Sequence, residues 1–405
     1  MRWRWLWQVL VFVLAAVLGG PQPSCGSGFA LYEAGARASA LGGAVVGRAD
    51  DLSALFYNPA GITQLPSLQA MAGVTAIIPS TEIVTHPGGI NQHNHMKENA
   101  FFPPHFYLSY QVSKSVWLGL GVFSPFGLGV EFNAGWPGSI NNIKTTINTI
   151  NINPNIAVKI TDSLSCAAGF DVMYFNLEMR RVLPLATGFQ DTTLKGDSFG
   201  YGFNLGLHFK PVDYLAVGIS YRSQIKQDVH GDAKFAPASS LNCDFQGSTI
   251  LPDMIFTGVM IKPIKPLTLE VGFIWTHWGL FRQMVFNFKN TLGTTIEQKN
   301  WRDAWRLQVG VEYKAADWLD LRAGYVFDGE PIRNGFADYI VPASDRHYFS
   351  FGPGFRWRQF TLDLSYTFMF MADKNINNSA ALGFLPSQYQ DRQAHLFGAS
   401  LGVKF

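Results

Sequence analysis

From residue 68 onward, apolar residues occupy alternate positions along most of the chain, so each predicted strand has one apolar and one polar face. In the segment 215–226, one face holds Leu215, Val217, Ile219, Tyr221 and Ile225, and the other holds Ala216, Gly218, Ser220, Arg222, Gln224 and Lys226. The same alternation runs through residues 305–314 and 319–327. A soluble β-sandwich would show it too, so alternation predicts strands without deciding what their apolar face contacts.

The lengths of the connections separate these possibilities. Short turns are predicted at residues 113–115, 161–163, 211–213, 262–266, 315–317 and around 358; long connections alternate with them at 78–104, 124–149, 180–197, 227–250, 281–301, 328–345 and 372–392. Outer-membrane barrels have tight turns at one rim and long loops at the other. The sequence therefore predicts an all-β fold, a closed antiparallel transmembrane β-barrel of about fourteen strands.

Composition excludes several other classes. Charged residues make up 15% of the 405 residues and the formal net charge is +2, so neither an ordinary soluble surface nor a nucleic-acid partner is expected. After the first residues the chain has no apolar run of about 20 residues, which excludes a bundle of membrane-spanning helices. The three cysteines show no zinc-type spacing. Cys166 and Cys243 are expected to remain unpaired.

The start of the chain has the order of a secretory signal, with two early arginines, an apolar stretch over residues 5–18 and then small residues. This stretch is short for a membrane anchor. We therefore expect residues 1–26 to be a signal peptide, cleaved near Gly26 or Ser27, with Cys25 leaving on it. The barrel is assigned to residues 67–405. Its last strand ends in an aromatic residue, which favours the outer membrane of a Gram-negative-type bacterium.

Residues 27–66 lack the alternation and contain two helix-like pieces, one near residues 33–40 and one after Asp50 and Asp51. Asp51 is suited to cap the second piece, which must end at Asn58 because a residue before proline is driven out of the helical region. A segment of this length that is not wall is most simply placed inside the barrel. It is predicted to form a luminal hatch containing short helices.

Several motifs resemble the FadL-type family of long-chain fatty acid and aromatic hydrocarbon transporters. The sequences SGFAL at 27–31, ADD at 49–51 and FYNPAG at 56–61 resemble the family's hatch; further matches lie at 125–128, 149–154, 251–253, 299–306, 345–346 and 365–366. The resemblance implies a barrel of about fourteen strands around a hatch, in agreement with the strand count. It also implies passive uptake of hydrophobic compounds across the outer membrane.

The resemblance identifies candidate site residues. Its hatch residues are Phe29, Asp50, Asp51, Asn58, Pro59 and Ala60. Phe29 is the first candidate for the pocket, because the family's mature N-terminus lies beside the ligand. By resemblance, the third and fourth extracellular loops would form a docking groove from Val182, Leu183, Leu185, Phe189, Phe235 and Leu241. The alternative is that these apolar side chains pack the loops against each other.

A lateral gate is expected in the third strand. Pro125 cannot donate a ladder hydrogen bond, and glycines permit an inward bend. The family has a kink there that opens the wall sideways, so the gate is assigned to Phe123, Pro125, Phe126, Gly127 and Gly129. Alternatively, Pro125 merely begins the second long loop.

Four basic residues on predicted inward faces are possible partners for a substrate carboxylate: Arg222, Lys226, Arg306 and Arg322. Four acidic residues also predicted to face inward would satisfy them equally well: Glu270, Glu312, Asp320 and Asp363. Since the family's carboxylate-binding residues cannot be matched here, the choice between fatty acid and hydrocarbon stays open.

The favoured function is passive uptake of long-chain fatty acids or related lipids through a hatch-gated barrel with a lateral exit. The alternatives are monoaromatic or alkane hydrocarbons as substrates, or a surface adhesin or receptor. The sequence has no GxSxG motif, and an enzyme is not expected. His86, His93 and His95 suit a solvated loop better than a metal site. No cofactor, metal or energy coupling is expected, and the partners are a hydrophobic small molecule and outer-membrane lipid around a monomer.

Overall fold

The computed structural model describes residues 28–186, 188–377 and 379–405. The expected signal peptide and its cleavage site lie outside these residues. Short helices lie at Ala36–Ala40 (α1) and Ala54–Tyr57 (α2), with 3-10 turns at Pro59–Gln64, Pro87–Gly89, Ser239–Leu241, Trp278–Leu280 and Asn334–Phe336. No helix in the described part of the chain has the length and apolar character to span a membrane.

The rest of the described chain is mainly β-strand. In chain order the strands are Leu68–Thr85 (β1), Gln92–His95 (β2), Pro104–Gln111 (β3), Val116–Phe123 (β4), Gly127–Glu131 (β5), Lys144–Lys159 (β6), Leu164–Leu185 (β7), Gly188–Val212 (β8), Leu215–Arg222 (β9), Ile225–Ala236 (β10), Cys243–Leu251 (β11), Met254–Ile264 (β12), Leu267–Thr276 (β13), Gln283–Phe288 (β14), Thr294–Gln298 (β15), Ala304–Ala316 (β16), Leu319–Asp328 (β17), Arg346–Trp357 (β18), Phe360–Met371 (β19), Lys374–Ile376 (β20) and Ser387–Lys404 (β21).

Fourteen of these strands close into an antiparallel barrel, as the sequence predicts. Around the ring the order is β1, β3, β4, β6, β7, β8, β9, β12, β13, β16, β17, β18, β19 and β21. The ring closes where β1 pairs with β21, from Gln69 opposite Lys404 to Thr85 opposite Ser387. Every strand of this ring is paired with a neighbour on both sides along at least part of its length, as a membrane-spanning sheet requires.

The two faces of the wall differ as predicted. On β8 the side chains of Phe199, Tyr201 and Phe203 are 60%, 63% and 48% exposed, whereas the interleaved Asn204 and His208 are buried. On β9 the predicted outward residues are exposed or half-buried and the inward ones are buried. Apolar side chains that face outward all around a closed ring are suited to contact with lipid.

The short turns lie where the sequence predicts them, and three share a Lys-x-x-Asp sequence. In each, the lysine ammonium pairs with the aspartate carboxylate three residues later, at 2.9 Å for Lys159 and Asp162 and 2.7 Å for Lys314 and Asp317. The third pair joins Lys210 and Asp213 at 3.7 Å.

Six of the seven long connections contain several strand residues that the sequence does not predict, and the difference is clearest in three of them. The expected loop at 180–197 is the tip of a β7–β8 hairpin, the one at 227–250 is mostly β10 and β11, and the one at 281–301 contains β14 and β15. These extensions continue the ladder beyond the ring. These strands are hard to recognise in the sequence because the apolar alternation is imposed by contact with lipid. Backbone hydrogen bonding between strands continues outside the bilayer, where that alternation is not required.

The N-terminal segment, residues 28–66, lies within the ring and is almost wholly buried. It contacts inward-facing glycines on several strands, so its backbone passes close to the wall. A Cβ on Gly218 of β9 would lie 2.0 Å from the Val46 carbonyl oxygen, and one on Gly324 of β17 would lie 2.3 Å from the Gly42 nitrogen. Both distances are far below van der Waals contact. Only glycine permits such an approach, so the wall and the segment are shaped for each other.

Candidate functional site

The wall is interrupted between β4 and β5. β4 pairs with β3 as far as Phe123 opposite His105, whereas β5 pairs with β6 and, in the described structure, not with the chain that precedes β3. The next hydrogen bond across this gap runs from the Lys97 N–H to the Glu131 carbonyl, at 2.7 Å. Between these two points the segments 98–104 and 124–130 face each other without a ladder.

Proline explains part of this interruption. Pro103, Pro104 and Pro125 border the gap and have no N–H to donate across it. The N–H of Phe126 turns instead to the Thr149 hydroxyl, at 3.1 Å. The predicted gate residues are therefore together at this point of the wall, with Phe123 and Phe126 buried and the others partly or fully covered.

Phe101, which no sequence motif singles out, fills the gap. A Cβ on Gly129 would lie 1.9 Å from Cζ of Phe101, so the phenyl ring lies directly over that glycine. Two backbone hydrogen bonds with Ile77, at 2.8 and 2.9 Å, hold Phe101 in place. Its ring is thus positioned to close the interrupted part of the wall.

The start of the N-terminal segment pairs from inside the barrel with residues 125–127 of the interrupted wall, which we call the kink. The Leu31 N–H donates to the Pro125 carbonyl at 2.9 Å, and the Gly127 N–H donates to the Phe29 carbonyl at 3.0 Å. Ala30 and Phe126 form an antiparallel bridge between these bonds. A displacement of residues 29–31 would therefore act directly on the backbone of the kink.

An aromatic cluster surrounds Phe29. Its ring centroid lies 4.8 Å from Trp278, 5.9 Å from Phe281, and 6.0 Å from both Phe126 and Trp301. Trp278 and Trp301 are 0% and 3% exposed, and within the described residues neither indole N–H has a hydrogen-bond partner. The cluster combines a large aromatic surface with two available donors.

A cavity of about 510 Å³ connects this cluster to the interrupted wall. It lies in the size range of roughly 300–1,000 Å³ that is common for small-molecule sites. Its lining includes the buried Phe126 and the lipid-facing Ile150, which is 45% exposed, so the cavity crosses the wall. Most lining residues are apolar, and among the described residues Arg346 is the one charged side chain in the lining. Its guanidinium donates to the Gly28 carbonyl at 2.7 Å.

All four of the proposed carboxylate partners pair with protein carboxylates, and three of these four basic side chains are buried. Arg222 pairs with Asp171, and Arg306 approaches Asp328 at 3.6 Å. Arg322 contacts three carboxylates, those of Glu312 at 2.7 Å, Asp363 at 2.6 Å and Asp320 at 3.4 Å.

The inward orientation predicted for Lys226 is wrong. β9 ends at Arg222 and β10 begins at Ile225, and the two residues between them shift the alternation by one position. Ile225 therefore faces inward and is 2% exposed, while the Lys226 side chain is 64% exposed and pairs with Asp228 at 2.9 Å. Lys226 does not join the other three basic residues.

Charged groups fasten the middle of the N-terminal segment to the wall. Glu270 accepts hydrogen bonds from the backbone N–H groups of Gly47 and Arg48, at 2.6 and 3.0 Å. The Arg48 guanidinium reaches Glu312 at 2.6 Å. Burial alone would raise the pKa of Asp50, but Arg37 at 2.8 Å and Arg48 at 3.4 Å outweigh it, and this pKa lies well below its ordinary value.

The remaining motif residues of the segment are also tied into its packing. Asn58 donates to the carbonyls of Val46, at 3.2 Å, and Leu207 of β8, at 2.9 Å. Its side-chain oxygen accepts from the Ala60 N–H at 3.3 Å, in the 3-10 turn that Pro59 begins. Asp51 accepts from the Ser53 N–H at 3.0 Å just before α2, which ends at Tyr57.

The six predicted docking residues lie on neighbouring extracellular hairpins, but most are covered. Phe235 is 2% exposed and packs 6.1 Å from the Phe288 ring. Leu183, Leu185 and Leu241 pack against the same apolar cluster. Val182 is half-buried, whereas Phe189 is 67% exposed. Little apolar surface is left open at this position.

The remaining candidate groups are not assembled into a reactive site. Cys166 and Cys243 are free thiols, as expected. His93 contacts the Glu82 carboxylate at 2.7 Å on an extracellular hairpin, and His86 contacts Asn91. In the described ranges, no group of three or more histidine, cysteine or acidic side chains is placed to hold a metal.

Comparisons with known proteins agree with this geometry. A family model described as outer membrane protein transport protein (OMPP1/FadL/TodX) matches residues 18–405. A long-chain fatty acid transport protein from Escherichia coli O6:H1 is 26% identical over 80% of this chain and 82% of its own length. Among solved structures, a Pseudomonas aeruginosa FadL homologue superposes with a TM-score of 0.83, at 19% identity over 94% of this chain and 100% of its own. The Pseudomonas putida toluene transporter TodX gives 0.76, also at 19% identity, over 94% and 100%.

Proposed function

The chain belongs to the OMPP1/FadL/TodX family of outer membrane transport proteins, and from this premise we propose that it admits hydrophobic compounds passively through a hatch-gated barrel. Residues 27–66 would form the hatch, and residues 124–130 the lateral exit. Because the family is one of transporters, the expectation that the chain is not an enzyme is supported. Long-chain fatty acids or related lipids are the first candidate substrates.

The observation that carries this proposal is the cavity that crosses the wall. Apolar solutes partition poorly into water, so a protein that transfers them into a bilayer needs a continuous apolar surface. Here such a surface runs from Phe29 in the lumen, past Phe126, to the lipid-facing Ile150. An adhesin or receptor has no use for an apolar passage between the lumen and the lipid, which favours transport.

The cavity lining supports an amphiphile as the first choice of substrate. Most of the side chains that line the cavity are apolar, and Arg346 supplies a cationic group beside Gly28. A long hydrocarbon tail with one anionic or hydrogen-bonding head fits this distribution. The curated relative from Escherichia coli is named as a long-chain fatty acid transport protein.

Monoaromatic hydrocarbons are the second candidate. The specific observation in their favour is the cluster of four aromatic rings around Phe29, since aromatic ligands stack well on such surfaces. The solved structure from Pseudomonas putida is described as a toluene transporter.

The hatch would open by a small displacement of its first residues. Residues 29–31 pair with the kink, whereas the following part is held by Glu270 and Glu312. We therefore infer that residues 29–31 move while the charged anchor stays in place. Such a movement would join the pocket to the lateral exit without emptying the bore.

The test measures the uptake of labelled oleate and toluene by cells carrying the wild type, a Pro125→Ala/Gly127→Ala variant, or a deletion of residues 27–66. The double variant should slow uptake, because it restores an N–H at Pro125 and places a Cβ 2.7 Å from Leu31 at Gly127. A Pro211→Ala/Gly247→Ala variant is the control, since Gly247 has its nearest neighbour at 3.4 Å. If neither compound enters faster than in cells lacking the protein, the proposal is wrong.

A further inference from the structure

A second groove opens on the extracellular side, between the segment 279–303 and residues 333–336. It encloses about 630 Å³. Its principal side chains are Arg282, Arg302, Asp303, Arg333, Phe336 and Trp301. It does not share a lining residue with the cavity that crosses the wall.

The groove carries a positive charge. Three of its lining residues are arginines and one is an aspartate. Arg282 and Arg333 are exposed, while Arg302 is half-buried and donates to the Glu330 carbonyl at 3.3 Å. Asp303 accepts a hydrogen bond from the Gly279 N–H at 2.9 Å. A concave surface with this excess of guanidinium groups concentrates anions.

The floor of the groove is the buried indole of Trp301, which is 3% exposed. The same ring contacts the aromatic cluster below, with centroids 4.8 Å from Phe281 and 5.0 Å from Trp278. A Cβ on Gly28 would lie 2.6 Å from this ring, and Gly28 lines the cavity that crosses the wall. A single side chain therefore separates the groove from the cavity, and in the described chain its N–H has no partner.

The loops expected to dock the substrate offer less open surface than this groove. Phe235 is buried within its hairpin. Leu183, Leu185 and Leu241 are partly buried and pack against the same apolar cluster. The groove above Trp301 is open, and the Trp301 ring contacts Phe29 with a centroid distance of 6.0 Å.

We propose that the groove lined by Arg282, Arg333 and Trp301 is the first binding site for amphiphilic carboxylates. The carboxylate binds the exposed guanidinium groups of Arg282 and Arg333, and the hydrocarbon tail lies against Phe336 and Trp301. Rotation of the indole then admits the tail to the cluster around Phe29. This inference rests on the proposed uptake function and specifies how an anionic substrate reaches the cavity.

The test compares initial rates of oleate and toluene uptake for an Arg282→Gln/Arg333→Gln variant. The control is a Lys195→Gln/Lys234→Gln variant, which removes two exposed positive charges from other extracellular hairpins, on β8 and β10. Oleate uptake should fall about three- to ten-fold in the arginine variant, because electrostatic capture changes association rates by factors of this order and above. Toluene uptake should stay unchanged, and the control should match the wild type. Raising the salt concentration should slow oleate uptake by the wild type and have little effect on the variant.

The outcomes separate the two proposals. If the wild type admits neither compound, the proposed function fails. If it admits oleate and the arginine variant does so equally fast, or loses toluene uptake to the same extent, the groove is not a carboxylate site. Reconstitution in vesicles with and without lipopolysaccharide tests the other source of anions. An arginine effect that appears only with lipopolysaccharide would assign the groove to lipid phosphate and overturn the proposal, whereas an effect in both supports it.

Discussion

A Gly218→Ala substitution should displace the N-terminal segment from the bore. The added Cβ would lie 2.0 Å from the Val46 carbonyl oxygen and 2.6 Å from Nδ2 of Asn58. The carbonyl cannot move away without breaking hydrogen bonds. It accepts one from the Asn58 side chain, and the N–H groups of the next two residues donate to Glu270. One neutral and two charge-assisted hydrogen bonds would be broken, at about 0.5–1.5 and 1.5–3 kcal/mol each, which sums to roughly 3.5–7.5 kcal/mol as an upper estimate.

The assay has two readouts on the purified protein. Guanidinium unfolding in detergent should show a lower free energy of unfolding, and planar bilayers should show an ion conductance that the wild type lacks, because the bore is no longer filled. Gly247→Ala is the matched control, since its Cβ has no neighbour nearer than 3.4 Å. If Gly218→Ala matches this control in stability and conductance, the account of a tightly seated segment is wrong.

Two further predictions concern the gap and the extracellular hairpins. Phe101→Ala should speed the transfer of ligand to the bilayer, and it should lower the unfolding free energy by less than the roughly 3–5 kcal/mol of a fully buried phenylalanine. Phe106→Ala is the control, since Phe106 is an outward-facing residue of β3 that does not line the cavity. Unchanged transfer in a stopped-flow vesicle assay would contradict this prediction. Burial raises the pKa of Glu297, but Arg181 and Lys299 outweigh it and lower this pKa from 4.5 to about 2. A lowered carboxyl pKa stabilises the fold above the unfolded value and loses that contribution as the pH falls, so proteolysis of the hairpins should increase between pH 4.5 and 2 in the wild type. Glu297→Gln should remove this pH dependence, and an unchanged profile would refute it.

The closed barrel could be predicted from sequence because lipid imposes a strict rule on the wall. Outward residues must be apolar at every second position, and Leu215, Val217 and Ile219 of β9 follow that rule. This alternation does not show where one strand ends and the next begins. Ser223 and Gln224 shift the alternation by one position, and a prediction that continued the period placed Lys226 on the wrong face.

The extracellular hairpins were harder to predict for a related reason. Outside the bilayer the hydrogen-bonded ladder continues without the apolar alternation. For this reason the sequence predicts a loop where the structure has β10 and β11. Local chemistry was present in the periplasmic turns, where the repeated Lys-x-x-Asp sequence forms ion pairs. This signal was available in the sequence, but apolar periodicity alone does not detect it.

The sequence predicts the residues of the kink, but it does not predict the aromatic side chains that lie against them. Pro125 and the neighbouring glycines indicate a weakened strand from backbone chemistry alone. Phe101 lies against Gly129 and Trp301 lies against Gly28, and each pair is distant in sequence. No local pattern marks such residues, because any half-buried aromatic side chain would read in the same way.

The proposed exit route leads sideways through the wall, between residues 98–104 and 124–130. The most direct test loads the reconstituted protein with a diazirine-labelled fatty acid, irradiates it during transport and maps the labelled peptides, counting only labelling that excess oleate suppresses. Lateral exit predicts saturable labelling of these two segments and of Phe29. Saturable labelling of the periplasmic groove at Thr63, Gln64 and Lys159, with none in the two segments, would contradict it.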